Sequence, residues 1–407
     1  MLEKYTLRSH TLIFIFSICV SFSNAQHSSN ISNDDEYIVA AYVWPSCHDE
    51  PMARENLWSE GIGEWEVIKK CKPRFEGHYQ PRIPLWGYQM DDDPKAWEQK
   101  IEAAISHGVN TFIFDWYWYD EKPFLEEAVN LGFLGAANNE KANFYLMWAN
   151  HDAREKGWNP YRYENDSVLW NADVDWENYK IIVDRIINQY FKRPNYLKIN
   201  GEPVFSIYHP YMLLKSFNGD VEETRKAIDY FRAEVNKAGF PDLHLQFIGK
   251  EKQGGKLYLG KSDISIPELV EKLGINSVSM YCMTGMDARN QDYLIFGERG
   301  VEVRNEWDSI LDIPFFPNVA IGWDNTPRHP EYGKEDLIIH FNNTPESFGA
   351  YLQKAKEFAD NHPDQPKLIT IYAWNEWVEG SYLEPDMLNG YGYLEAVMKV
   401  IIGEYEK

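Results

Sequence analysis

Cysteine is scarce, with four in 407 residues. No CxxC, HExxH or Cys/His cluster occurs, so nothing supports a zinc site. Phosphate cradles of the GxxxxGK[ST] or GxGxxG type are missing too, and Gly254-Gly255 in a Lys-rich loop does not replace them. Without a GxSxG there is no esterase elbow. No cofactor is therefore expected. Basic residues number 40 against 63 acidic ones, a net charge of −23. Such a chain binds polyphosphates poorly, which excludes nucleic acid as an expected partner. Past residue 22 no apolar run is long enough to cross a bilayer, so no membrane span is expected.

What is present is a large core-forming fraction: 44% hydrophobic and 25% charged residues rule out global disorder. Aromatics reach 15%, with 15 Trp and 26 Tyr, more than core filling asks for. Lys4 and Arg8, the short apolar run 11–22 and Ser23-Asn24-Ala25 together read as an export signal. Cleavage is expected after Ala25, sending the chain to the periplasm or cell surface. A lipidated Cys19 is the weaker alternative, because Ile18 stands where a small residue is expected. Residues 26–36 are polar and read as a disordered mature N-terminus. Cys47, Cys71 and Cys282 then remain. Cys47–Cys71 is the short-range pairing on offer, but three buried thiols fit a barrel that needs no staple better.

From residue 37 strand and helix signals alternate. Strands are expected at 37–43, 110–115, 143–148, 203–208, 243–248, 276–281, 315–321 and 367–373. Helices are expected at 94–107, 124–133, 176–190, 221–238, from 267, at 345–361 and at 390–402. Eight strands with covered faces favour an α/β fold of the (β/α)8 TIM barrel type, one domain over 37–407. The long loops 44–93 and 150–174 are too aromatic for linkers and are expected to roof the barrel mouth. Asp91-Asp92-Asp93-Pro94 looks like a metal-binding run, but Asp93 as N-cap with Pro94 at the first helical position is the simpler reading.

Chemistry in such a barrel sits at the C-terminal strand ends. Those ends carry Asp115, Trp116 and Tyr117; Trp148 and Asn150 with His151; Tyr208 and His209; Tyr281; Trp323, Asp324 and Asn325; and Trp374 and Asn375. Aromatic faces stack on the C–H faces of sugars, while carboxylates and amides bind the hydroxyls. A glycan is therefore the expected partner. Glu376 and Glu379 form the sharpest pair, since glycosidic cleavage needs two carboxyl groups. Glu384, before Pro385, is a third candidate.

Five segments carry a family resemblance: Gly77-His78-Tyr79-Gln80-Pro81-Arg82, Phe114-Asp115-Trp116-Tyr117-Trp118, Gly201-Glu202-Pro203-Val204-Phe205, Gly322-Trp323-Asp324-Asn325-Thr326, and Ala373-Trp374-Asn375-Glu376-Trp377-Val378-Glu379-Gly380. Over about 37–402 the chain resembles the WbsX family, within the glycoside hydrolase family 99-like group. The resemblance implies a (β/α)8 barrel. Family 99 proper comprises endo-acting α-mannosidases with an Asn-Glu-Trp-His-Glu-Gly motif. It implies Glu376 as base on the substrate 2-hydroxyl, through a 1,2-anhydro sugar, and Glu379 as acid and then base. Val378 stands where those mannosidases have His. WbsX proteins have also been named glycosyltransferases of polysaccharide synthesis. An exported chain without a phosphate loop fits that reading less well than hydrolysis. A non-catalytic glycan-binding barrel is the third reading.

Overall fold

The computed structural model describes residues 30–31 and 36–403, apart from 163–165, 253–255, 262, 284–289 and 332–336. The expected export signal 1–25 with Cys19, most of 26–36, and Gly254-Gly255 lie outside the described residues. Within 26–36, Asn30–Ile31 pair in parallel with Lys198–Ile199.

Eight parallel strands form the barrel: β1 Ile38–Val43, β2 Thr111–Tyr119, β3 Asn143–Trp148, β4 Glu202–Ile207, β5 His244–Lys252, β6 Ser277–Met280, β7 in two pieces, Phe315–Phe316 and Asn318–Ala320, and β8 Leu368–Tyr372. Each pairs with the next, and β8 returns to β1. Closure depends on β7 changing partner at Pro317. Its first piece pairs with β6 and its second with β8. Proline has no N–H to offer a ladder, so a strand breaks there at little cost. The outer layer includes α1 Pro94–Ser106, α2 Trp176–Ile186, α3 Val221–Lys237, α4 Ile266–Leu273, α5 Tyr293–Ile310, α6 Pro345–Asp360 and α7 Gly392–Ile401.

Strand alternation sorts the side chains. On β2, Phe112 and Phe114 pack on Trp97 of α1. Thr111, Ile113 and Asp115 therefore point into the barrel. Inside, Tyr145 of β3 reaches Gln246 of β5 at 3.5 Å, and Ser279 of β6 meets Thr370 of β8 at 3.3 Å.

The helix expected at 124–133 differs. β2 runs on to Tyr119 and folds back onto Lys122–Phe124, which uses up the start of that segment. The remainder is a π-helical turn, Ala128–Phe133. Asp93 caps α1, its carboxylate accepting from the Lys95 N–H. Cys47 and Cys71 are free, buried thiols, and Cys282 is buried as well. Among the described residues, no helix is long and apolar enough to cross a membrane.

Candidate active site

After β8 the chain makes a small antiparallel hairpin, Asn375–Glu376 against Ser381–Tyr382, around a 3-10 turn at Trp377–Glu379. Gly380 closes it at φ 66°, and a Cβ there would meet Asp324 Cβ at 2.9 Å. Only glycine suits both conditions. The turn puts Glu376 and Glu379 on one side of the barrel mouth, facing the same guanidinium. Arg328 Nη1 lies 2.5 Å from Glu379 Oε1, Nη2 3.2 Å from Glu376 Oε1, and Nε 2.9 Å from Glu64 Oε1. Tyr372 donates to the other oxygen of Glu379. Glu64 is held in turn by the Trp44 indole N–H at 2.5 Å and the Ser46 hydroxyl at 2.9 Å.

Trp44, Arg328, Glu376 and Glu379 line a cavity of about 310 Å³ with Asp115, Tyr117, Met147, Ala149, His151, Trp158, Tyr208, His209, Lys250 and Tyr281. Trp44 and Glu64 come from the first long loop and Trp158 from the second. Trp158 meets Trp44 edge-on at 5.6 Å and Tyr117 at 5.8 Å, forming an aromatic wall. Asp115 accepts from the Tyr281 hydroxyl at 2.7 Å, and its buried Oδ1 has no hydrogen-bond partner among the described residues.

Electrostatics set the protonation. Burial pushes the Glu376 carboxyl well above its ordinary range, and the Glu379 charge adds to this while Arg328 opposes it. Glu379 is raised as well, chiefly by burial, with Arg328 and Tyr372 pulling the other way. Asp115 is raised by burial and by Glu379, against its bond from Tyr281. Burial lowers His151 to about 4, so its imidazole is neutral.

The structure brings Asp115, Tyr117, Tyr208, His209, Glu376 and Glu379 to one cavity. Other expected lining residues lie elsewhere, for reasons of alternation and pairing. Trp116 points outward, its indole N–H 2.8 Å from Glu126. Trp148 faces outward toward Tyr179 of α2. Trp374 donates to Glu384 at 3.0 Å and packs on Phe112. Asn150 clasps the His209 backbone at 2.8 and 3.1 Å, and Asn375 clasps that of Trp44 at 2.9 and 3.0 Å. Both position cavity residues without lining the cavity themselves.

Asp324 accepts from Gln80 at 2.8 Å and lies 3.0 Å from His78 and 3.2 Å from Arg82. Burial would raise its carboxyl, but the His78, Arg82 and Thr326 contacts outweigh that and hold it well below the usual range. Glu384 is locked to Lys100 at 2.8 Å. Trp323 and Asn325 line a second cavity of about 440 Å³, which meets the first at Trp158, Arg328 and Glu379. Sequence reasoning missed Trp44, Glu64, Trp158, Lys250, Arg328 and Tyr372. For Lys250 and Tyr372 the period-two alternation of β5 and β8 was the available signal.

A family model described as "Glycosyltransferase WbsX" matches residues 39–397. Two uncharacterised WxcX proteins, from Xanthomonas campestris pv. campestris strains B100 and ATCC 33913, are each 25% identical over 380 residues. The match covers 89% of this chain and 49% of theirs, so the chain spans about half the length of these relatives. Among solved structures, a GH99 endo-alpha-mannosidase from Bacteroides thetaiotaomicron aligns with TM-score 0.55 at 14% identity, over 90% of this chain and 96% of that one. A glycoside hydrolase-like protein aligns with TM-score 0.56 at 11% identity, over 91% and 96%. These likenesses are of fold, and the chain and the hydrolases share the (β/α)8 barrel. By the match over 39–397, the chain belongs to the WbsX family.

Proposed function

We propose that the protein is an exported glycoside hydrolase in which Glu376 and Glu379 cleave the glycosidic bond. The observation that carries this is the sharing of one guanidinium by Glu64, Glu376 and Glu379, with Asp115 also on the cavity wall. Arg328, even with the Lys250 ammonium on the same cavity wall, cannot balance four carboxylates. The cluster therefore holds a proton to higher pH than an ordinary carboxylate does, and the proton belongs to the coupled pair rather than to one residue. A proton donor and a carboxylate base side by side are what glycosidic cleavage requires. Glu379 acts as the acid. Its side chain is 13% exposed against 3% for Glu376, so it stands nearer the opening where a leaving group departs. Glu376, deeper, acts as the base. The aromatic wall supplies stacking faces for sugar rings.

The barrel shared with an endo-alpha-mannosidase makes α-linked mannose, or a related sugar, the first substrate to test. The family's description favours a second reading, transfer from a nucleotide sugar. Against it, the carboxylates already occupying Arg328 would repel a diphosphate. The deciding experiment incubates the protein with a glycan panel, with and without nucleotide-sugar donors. Shortened products without donor support hydrolysis. Donor-dependent elongation alone supports transfer. Binding with neither reaction supports a glycan-binding barrel.

Export belongs to the same proposal, with residues 1–25 as the signal and 37–407 as one catalytic domain. N-terminal sequencing of protein recovered outside the cytoplasm is expected to start at Gln26. An intact Met1 or a lipidated Cys19 defeats it.

A further inference from the structure

Buried cations around the mouth come with carboxylates. Arg328 has Glu64, Glu376 and Glu379; Lys100 has Asp91 and Glu384; Arg82 has Asp324. Lys250 breaks this pattern. It follows Gln246 by two alternations on β5, so its side chain points inward at the C-terminal end, where it lines the cavity. Its ammonium stands 3.9 Å from the centre of the Tyr208 ring. Among the described residues no carboxylate lies within ion-pair reach of it. Burial lowers it to about 8 with no acid offsetting the effect, so it is still charged at neutral pH. A ring face compensates an ammonium only in part, and leaving a charge partly desolvated without a counter-ion is costly. The cost makes sense where a ligand brings the missing charge.

The surroundings describe that ligand. Tyr208 meets Tyr281 edge-on at 5.1 Å, and the Tyr281 hydroxyl bonds Asp115. A sugar seated here would find Asp115 Oδ1 for a hydroxyl, Trp44 and Trp158 as apolar walls, and Lys250 as a cation with no carboxylate beside it among the described residues.

We propose that Lys250 receives an anionic substituent of the substrate, so that the glycan cleaved at this site contains an acidic sugar, a uronate being the simplest. The inference rests on the glycoside hydrolase reading and names its substrate class. The net charge of −23 disfavours dense polyanions. The expected substrate therefore carries isolated acidic units among neutral sugars.

The test measures dissociation constants on the full chain for oligosaccharides with one glucuronate, galacturonate or mannuronate among neutral sugars. Each is paired with its carboxyl-reduced form, and a parallel arm carries a sulfate ester in place of the carboxylate. At least one acidic member is expected to bind about tenfold or more tighter than its reduced twin. Lys250→Met is expected to bring that ratio close to one, and Lys250→Arg to keep most of it. The sulfate arm reports whether carboxylate or sulfate is the natural group. Equal binding of every acidic and reduced pair overturns the proposal, as does a preference that survives Lys250→Met. Binding of neutral glycans alone overturns it while sparing the hydrolase reading, whereas no binding of any glycan overturns both.

Discussion

Lys100 Nζ lies 2.8 Å from Glu384 Oε1, and both side chains are almost wholly withdrawn from water. The same carboxylate accepts the indole N–H groups of Trp374 and Trp377 at 3.0 and 2.7 Å. Lys100 also pairs with Asp91 at 2.8 Å, and Asp91 accepts the Cys47 N–H. This network ties α1 to the segments leaving β1 and β8, and so fixes the hairpin that carries Glu376. Glu384 is thus a strut, and its acidity is committed to holding loops together.

Removing one partner of such a pair leaves a buried charge unmatched, at about 3–5 kcal/mol. Lys100→Met is expected to lose stability of that order. The urea unfolding midpoint measures it, and an unchanged midpoint defeats the assignment.

A second prediction concerns pH. Glu376 and Glu379 are raised above their ordinary value of 4.5 in the folded protein. Between that value and their folded values the native state binds more protons than the unfolded chain. Their contribution is fully present below about 4.5 and is lost as pH rises through the folded values. Glu376→Gln removes one share of this penalty, worth about 1.4 kcal/mol for each tenfold gain in proton affinity on folding. The variant is expected to melt higher than wild type at pH 8, with the gap closing toward pH 4. A variant less stable at pH 8 would mean that its pairing with Arg328 outweighs its desolvation.

The barrel was legible because buried parallel strands read as continuous apolar runs, as at 143–148 and 368–372. The site was legible only where residues lie near strand ends, as with Asp115, Tyr208, Glu376 and Glu379. Arg328, Glu64 and Trp158 sit in loops far apart in sequence, and no local pattern announces that they converge. Trp116, Trp148 and Trp374 show the opposite limit. A Trp at a strand end can face the mouth or the helices, and only its phase within the strand decides. Met147 points inward, so its neighbour Trp148 cannot.

That phase separates two tryptophans that composition treats alike. Trp148→Ala hollows the interface with α2 and is expected to cost about 3–5 kcal/mol. Trp323 is stacked on Tyr372 at 5.9 Å and lines the adjoining cavity. Trp323→Ala is expected to weaken glycan binding by ~1 kcal/mol with a smaller loss of stability. Thermal melts and binding isotherms on both variants decide it. Equal stability losses would place Trp323 in the core as well.

The last prediction separates the two glutamates. An amide keeps the shape of the carboxyl but cannot carry its proton, so Glu376→Gln and Glu379→Gln are each expected to lower turnover ~10²–10⁴-fold. If Glu379 protonates the leaving group, its variant recovers on substrates that leave without a proton, such as activated aryl glycosides or glycosyl fluorides. Glu376→Gln does not recover on them, because the base acts on the sugar whatever the leaving group. Methylating the substrate 2-hydroxyl then decides what Glu376 acts upon. Loss of wild-type turnover is expected if the 2-hydroxyl is the internal nucleophile. Retained turnover would keep the pair but move Glu376 to direct attack or to water activation. Near-normal turnover of a natural glycan by either Gln variant would remove the pair from the chemistry. Asp115, on the same cavity wall and with no hydrogen-bond partner for its Oδ1 among the described residues, would then be the next carboxylate to test.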